Sequence, residues 1–420
     1  MSKLRTLVAL ACAYMVFAVF LNSVGTVILD SINSFHVSKV HASTLEPFKD
    51  ITIAVVSFAV ASFLPRLGLR RAIMLGLGLV AAACGAEVLA PSFIATQGLF
   101  LVVGASFALV KVSVYSSIGL LSQDRAEHVK LTSFIESLFM VGVLAGYWLF
   151  SLFIDPRNPG SLVWTHIYIL LAGLCLVAIL LVATAPLDER EARATTPRLS
   201  GDFLAMLRLC LLPLVVAFIA SAFLYVLIEQ GLGSWLPTFN SEILHLSAPM
   251  AVQAASIYAA TLALSRFAAG VLMARFSWYR VLNICIISAG ALVVLSLPLT
   301  RGLGDVVVTN WLGAPPVAFL FPMIGLFLAP IYPAINSAML STLPKHDHAG
   351  MTGLIVVFSA LGGTLGSMLT AQIFTRFGGQ AAFYCSLAPM GLLLVSLAVF
   401  RNRIDRQAGE AGPEALATAS

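Results

Sequence analysis

Twelve apolar stretches, each long enough to cross a bilayer as a helix, constrain this chain more than any motif in it. A hydrocarbon core about 30 Å thick takes roughly 20 residues at helical rise. The stretches fall near 6–30, 48–66, 72–90, 94–121, 129–154, 164–184, 208–236, 247–274, 278–298, 311–341, 349–375 and 381–400. Threading them from a cytoplasmic N-terminus sorts the basic residues. Seventeen of the 24 Lys and Arg, from Lys3 and Arg5 to Arg403 and Arg406, then lie in cytoplasmic segments. Only Lys39, Arg157, Arg301 and Arg376 land outside, and Lys49, Lys111 and Arg266 fall within spans. Cationic loops resist translocation, so the excess marks the cytoplasmic side. A wrong span count would scramble the later loops and lose the sorting. The expected placement is a multi-pass protein of a bacterial inner membrane, embedded in lipid, with both termini cytoplasmic.

Composition removes the alternatives. Sixty percent hydrophobic residues with ten percent charged is too apolar for a soluble fold of 420 residues. The net charge of +5 needs no nucleic-acid partner, since the basic residues sit in short turns rather than on one surface. The six cysteines show no CxxC or metal-ligand spacing and read as packing residues, so no cofactor or metal is expected. Lys3 and Arg5 before an apolar run mimic a signal peptide, but the run is too long and reads as a retained first helix. The seven histidines lie in loops or at helix ends, and HExxH, GxSxG and P-loop motifs are missing. Neither an enzyme nor an ATP-driven pump is expected. Secondary transport remains.

The chain divides in the middle. Residues 185–207 form the longest strongly charged stretch between spans, with six spans before it and six after. This gives an N-terminal bundle at 1–184, a cytoplasmic linker at 185–207, a C-terminal bundle at 208–400 and a disordered tail at 401–420. An internal echo relates the halves. Arg66-Leu67-Gly68-Leu69-Arg70-Arg71 follows the second span, and Arg275-Phe276-Ser277-Trp278-Tyr279-Arg280 follows the eighth. Matching loops in two six-helix halves are what a parallel repeat about the membrane normal predicts.

Twelve spans, a central loop and this second-to-third turn resemble the major facilitator superfamily, within it most closely the fucose–proton symporter branch. The residues that carry the branch resemblance are Ser265-Arg266-Phe267-Ala268-Ala269-Gly270, Tyr332-Pro333-Ala334-Ile335-Asn336-Ser337 and Tyr225-Val226. The resemblance implies two pseudo-symmetric bundles and a monomer that moves a small molecule. One departure matters: the superfamily's second-to-third loop carries an acidic residue where Pro65 stands here. Its absence weakens that half's acid-to-arginine latch.

Charges at the bilayer centre cost about 2.5–3.5 kcal/mol on insertion scales, so they face partners or wet cavities. Lys111 lies about 10 residues, roughly 15 Å, from the cytoplasmic end of span four, and Glu136 about 7 residues, roughly 10 Å, from that of span five. Similar depth on adjacent helices predicts a Lys111–Glu136 ion pair. The resemblance places the branch's fourth-helix carboxylate at Lys111 and its sugar-binding asparagine at Glu136. Tyr225 and Glu229 share a face at i, i+4, and Glu229 has no basic neighbour in sequence, which suits a proton carrier. Asn22, Thr26 and Asp30 fall on one face of span one. Ser43-Thr44-Leu45-Glu46 is a capping-box pattern, and Glu46, Lys49 and Asp50 form a charged cluster at the extracellular mouth. The branch's first-helix aspartate aligns with Gly25, so its role does not transfer. Pro330, Pro333 and Asn336 interrupt span ten, and Gly142 and Gly146 form a small-xxx-small pair in span five.

The expected substrate site is Lys111, Glu136, Tyr115, Asn22, Thr26, Tyr225 and Asn336. Proton coupling falls to Glu229, with Asp30 and Asp50 as the other carboxylates. Gating falls to Glu46, Lys49, Arg66, Arg71, Arg266 and Arg275. The expected activity is proton-coupled transport of a small polar solute, a sugar or a carboxylate-bearing metabolite. Export of a metabolite such as a carboxylate siderophore and drug–proton antiport stand as alternatives. Drug antiporters of the superfamily carry a Gly-Pro pair in span five, and this span five has no proline.

Overall fold

The computed structural model of the chain describes residues 2–187, 208–304, 306–344 and 347–410. Its helices follow the apolar stretches. In the first half they are α1 (Ser2–Asn22, resuming as Val24–Phe35), α2 (Leu45–Leu67), α3 (Leu69–Leu89), α4 (Phe93–Leu121), α5 (Arg125–Ser151) and α6 (Ile167–Thr184). The second half holds α7 (Pro213–Gly233), α8 (Ala248–Arg275), α9 (Trp278–Ser296), α10 (Val317–Thr342, in short pieces), α11 (His348–Tyr384) and α12 (Leu387–Glu410). Among the described residues, eleven segments are long and apolar enough to cross a membrane. The remaining crossing is α2, which differs by carrying Glu46, Lys49 and Asp50 in its first two turns. The protein is an all-α, twelve-helix membrane protein.

An even number of crossings puts the start of α1 and the end of α12 on one face, here called the terminal face. The opposite face is the distal face. The halves meet along two seams, α2 against α11 and α5 against α8. Within the first half α1 packs on α5, and α3 on α4 and α6; within the second, α7 packs on α11 and α12. Because lipid is as apolar as the helix surfaces, close backbone approach replaces hydrophobic burial as the packing force. Gly142 shows it: a Cβ there would lie 2.6 Å from the Met15 carbonyl, so a side chain would push α5 off α1.

The boundaries differ from the sequence expectation in a few places, each with a local cause. The first span is broken at Ser23, whose hydroxyl donates to the Phe20 carbonyl at 2.8 Å, and it continues to Phe35. Span ten is in pieces, with its long final helix beginning after Pro330. The eleventh helix runs past Arg376 and turns at Gly378, where φ of 85° is open to glycine without strain. The last helix runs to Glu410, ten residues into the stretch expected as a disordered tail. Of the expected linker, residues 188–207 lie outside the described residues.

Candidate transport cavity

A cavity of ≈ 190 Å³ lies between the halves, walled by α1, α2 and α5 on one side and by α7 and α8 on the other. Asn22, Glu46, Lys49 and Tyr147 supply its polar groups from the first half. Glu229, Gln230, Ser234, Tyr258 and Arg266 supply them from the second.

Toward the distal face the cavity is roofed by an ionic knot. Lys49 places its ammonium 2.8 Å from Glu46 Oε2 and 3.4 Å from Asp50 Oδ1. The Ser234 hydroxyl donates to the other Glu46 oxygen, tying α2 to the end of α7. Glu46 and Lys49 are buried, and burial of charges is tolerated because they are paired. This use of Glu46 replaces the expected capping box, since Thr44 at the helix start makes no side-chain cap bond. Asp50 abuts α11, where a Cβ on Gly363 would sit 2.9 Å from Asp50 Oδ2. Further out, Lys39 bonds Glu242 at 3.0 Å across the halves, and its ammonium lies 5.2 Å from the Phe374 ring centroid. The distal side is closed.

On the second-half wall, Glu229 and Arg266 face the same space, and the guanidinium's field reaches the carboxylate. Glu229 has no basic neighbour in sequence, but Arg266, remote in sequence, lines the same cavity from α8. The Tyr258 hydroxyl donates to the Glu229 carbonyl at 3.3 Å, and Arg266 Nη1 lies 3.6 Å from Met140 Sδ of α5. Deeper in this half, Tyr225 stacks on Tyr332 at 5.6 Å, and the Tyr332 and Ser359 hydroxyls bond at 2.9 Å. Asn336, one turn along, keeps its Oδ1 buried and unpartnered.

The first-half residues lie toward the terminal face, beyond Phe139, which lines the cavity and packs on Tyr14 with centroids 4.7 Å apart. Glu136 accepts from both Tyr14, at 3.3 Å, and Tyr115. No ion pair joins Lys111 to Glu136 among the described residues; the Lys111 ammonium lies 5.7 Å from the Phe107 ring centroid instead. Two tyrosine hydroxyls occupy the carboxylate in place of the expected lysine. Of the trio on span one, only Asn22 reaches the cavity. The helix is interrupted at Ser23, and beyond it Thr26 and Asp30 are fully buried.

Of the expected loop arginines, Arg71 and Arg275 are exposed, and the Arg66 side chain lies outside the described residues. Arg70 donates to the carbonyls of Ala185 and Leu187 beyond α6. Sequence reading passed over Tyr14, Tyr147, Tyr258, Gln230, Ser234 and the Lys39–Glu242 bridge. A lone tyrosine in an otherwise apolar helix was the available signal for Tyr14 and Tyr258.

Residues 6–321 match the sequence profile of the Major Facilitator Superfamily, and the chain belongs to that family. A search of curated sequences finds no match. Among solved structures, a bacterial homolog of the human lysosomal transporter Spinster, in an inward-facing and occupied conformation, superimposes with a TM-score of 0.74. It is 15% identical, over 96% of this chain and 97% of that one. The nucleoside transporter NupG gives 0.70 at 14% identity over 95% and 98%. The transporter FucP, in the outward conformation, gives 0.60 at 15% identity over 95% and 99%. At such identities the likeness is one of fold.

Proposed function

We propose that this chain is a secondary active transporter that moves a small polar organic solute, a sugar or carboxylate-bearing metabolite, by alternating access coupled to protons. The observation that carries the reading is the mixed-charge cavity between the two halves, roofed on the distal side. Substrate sites of such transporters lie at the interface between repeats. The sorting of basic residues makes the terminal face cytoplasmic, so this state faces inward. The higher TM-score against the inward-facing Spinster homolog than against outward FucP supports that. The nucleoside transport named for NupG and the proton symport of D-xylose named for another structure of the same fold support a polar solute.

Lys49 is held by Glu46 and Asp50, so these residues act as the distal gate and not as the substrate's counter-ion. A carboxylate on the solute would meet Arg266 in the cavity and Lys111 toward the cytoplasm. Hydroxyls would meet Asn22, Gln230 and Tyr258, then Tyr115, Tyr225 and Asn336 deeper in. Glu229 carries the proton: once neutral it no longer competes for Arg266, which is then free to grip an anionic or hydroxyl-rich solute. Asp50 serves the gate and Asp30 lies off the path.

Right-side-out and inside-out vesicles, screened against sugars, organic acids and siderophores with and without a proton gradient, test this. Gradient-driven uptake of a polar solute is the expected result. Transport only of lipophilic cations would overturn it, and gradient-driven efflux would reverse the direction.

A further inference from the structure

We propose that the connection between α9 and α10 docks into the headgroup region of the distal leaflet and anchors the second half to the bilayer surface. The halves treat this connection differently. In the first, α3 and α4 are joined by residues 90–92 alone. The matching connection in the second runs over residues 301–316 and contains Val306-Val307-Val308-Thr309-Asn310-Trp311-Leu312. No charged residue falls between Val306 and Pro316. Four large apolar side chains of this stretch are left uncovered: Val306 is 79% exposed, Leu312 wholly so, and Val307 and Trp311 stand out beside them. The backbone holds this tip in place. The Ser247 N–H donates to the Val308 carbonyl at 2.9 Å, and the Val308 N–H donates to the His245 carbonyl at 2.8 Å. Asn310 Oδ1 accepts from the Gly313 N–H at 2.8 Å, closing a turn with Trp311 and Leu312 at its crest.

Depth, continuity and chemistry choose lipid as the occupant. The flanking spans, Trp278–Thr300 and Val317–Thr342, are 23 and 26 residues long. At helical rise each covers about 35 Å or more, so they already cross the core and leave the loop at headgroup level. Trp311 packs against Phe319 in the first turn of α10, with ring centroids 5.7 Å apart. Phe319 and Met323 are exposed, as are Leu295 and Leu299 at the end of the preceding span. The distal side of the cavity is closed, so these side chains face lipid, and the loop continues their surface. Tryptophan favours this interface, where its ring is sheltered and its N–H stays wet. The connection between α5 and α6 shows the contrast, since its Asp155-Pro156-Arg157-Asn158-Pro159-Gly160 segment is polar and suits water. Val308 is bonded at the entry of α8, which carries Tyr258 and Arg266 to the cavity. The anchor thus fixes where that helix meets the bilayer surface.

The test reads the depth of the loop in the full chain, reconstituted in nanodiscs that hold one copy each. Leu312→Cys and, as a water-facing control, Asn158→Cys are labelled with an environment-sensitive fluorophore in a Cys385→Ser background, whose own signal is subtracted. The Leu312→Cys label should emit blue-shifted light and be quenched several-fold less by iodide than the Asn158→Cys label. Spin labels near the top of the lipid chain should quench it more than spin labels at the chain end. A second measurement needs no cysteine variant: the tryptophan emission lost in Trp311→Phe should be quenched by brominated lipids in the same depth order. Iodide quenching at Leu312→Cys equal to that at Asn158→Cys would overturn the anchor. Protection that appears only when two chains share a disc would also overturn it, and would assign the patch to a second copy of the chain.

Discussion

The two halves hold matching tyrosines and use them differently. Tyr14 of α1 and Tyr115 of α4 meet edge-on at 6.2 Å, and Tyr225 of α7 and Tyr332 of α10 stack at 5.6 Å. Tyr14 and Tyr225 even fall at the same position from the start of their helices. In the first half both hydroxyls converge on Glu136. In the second, only Tyr225 bonds the carboxylate, Tyr332 bonds Ser359, and Glu229 also faces the cavity beside Arg266. A carboxylate gripped by two donors is an anchor. One that shares a wet space with a guanidinium can change its charge and its partner. The fold's symmetry thus supplies two equivalent frames that differ in a few polar contacts.

The largest effect should come from removing the exchangeable charge. Glu229→Gln should keep exchange of solute down its gradient and lose accumulation driven by the pH gradient. Uptake by the unmodified protein should rise as the outside becomes more acidic, since loading a proton favours binding, and the variant should show a flat profile. Counterflow and pH-jump assays in the same vesicles separate the two. A variant that still concentrates solute would move the proton elsewhere, first to Asp50.

Arg266→Ala comes next. A hydrogen bond to a charged group contributes about 1.5–3 kcal/mol, so KM should rise roughly ten- to hundredfold. Arg266→Lys should recover part of that. If the two variants behave alike, the guanidinium is structural.

The comparison itself is tested by tyrosine pairs. Tyr115→Phe should weaken solute binding several-fold more than Tyr332→Phe, because only the former frees a carboxylate. Exchanging charges in Lys111→Glu with Glu136→Lys should fail to restore transport, whereas a direct ion pair would restore some. Substrate-protection titrations on each variant decide between them.

The smallest effect belongs to Lys39→Ala. Its bridge to Glu242 is partly exposed, and such pairs contribute about 0–1 kcal/mol. Labelling of a cysteine placed at Asn22 from the distal side should increase by a few-fold at most.

Hydropathy made the twelve crossings legible because length and apolarity are properties of each segment alone. It could not show which face of a helix meets which neighbour, since these helices are apolar all round. Glu136 and Tyr14 are 122 residues apart, and Arg266 and Glu229 stand on different helices, so both relations needed the packing. Asp30 shows a second limit: its spacing from Asn22 implied a shared face, but the helix is interrupted at Ser23, and Asn22 lines the cavity while Asp30 is buried away from it. Glu46 shows a third, since a capping pattern and a gate carboxylate look identical until Ser234 arrives from the other half.

Gly25 marks a place where those halves touch closely. A methyl group there would sit 2.7 Å from the Ser234 carbonyl oxygen, closer than atoms tolerate. In this arrangement the position has no room for the aspartate that the fucose-symporter branch aligns with it. It also means that one atom of added bulk is a wedge between α1 and α7. Energy spent on that clash is absent once the distal side parts, so alanine at this site would tilt the protein's resting population toward the outward arrangement without touching a single charged group.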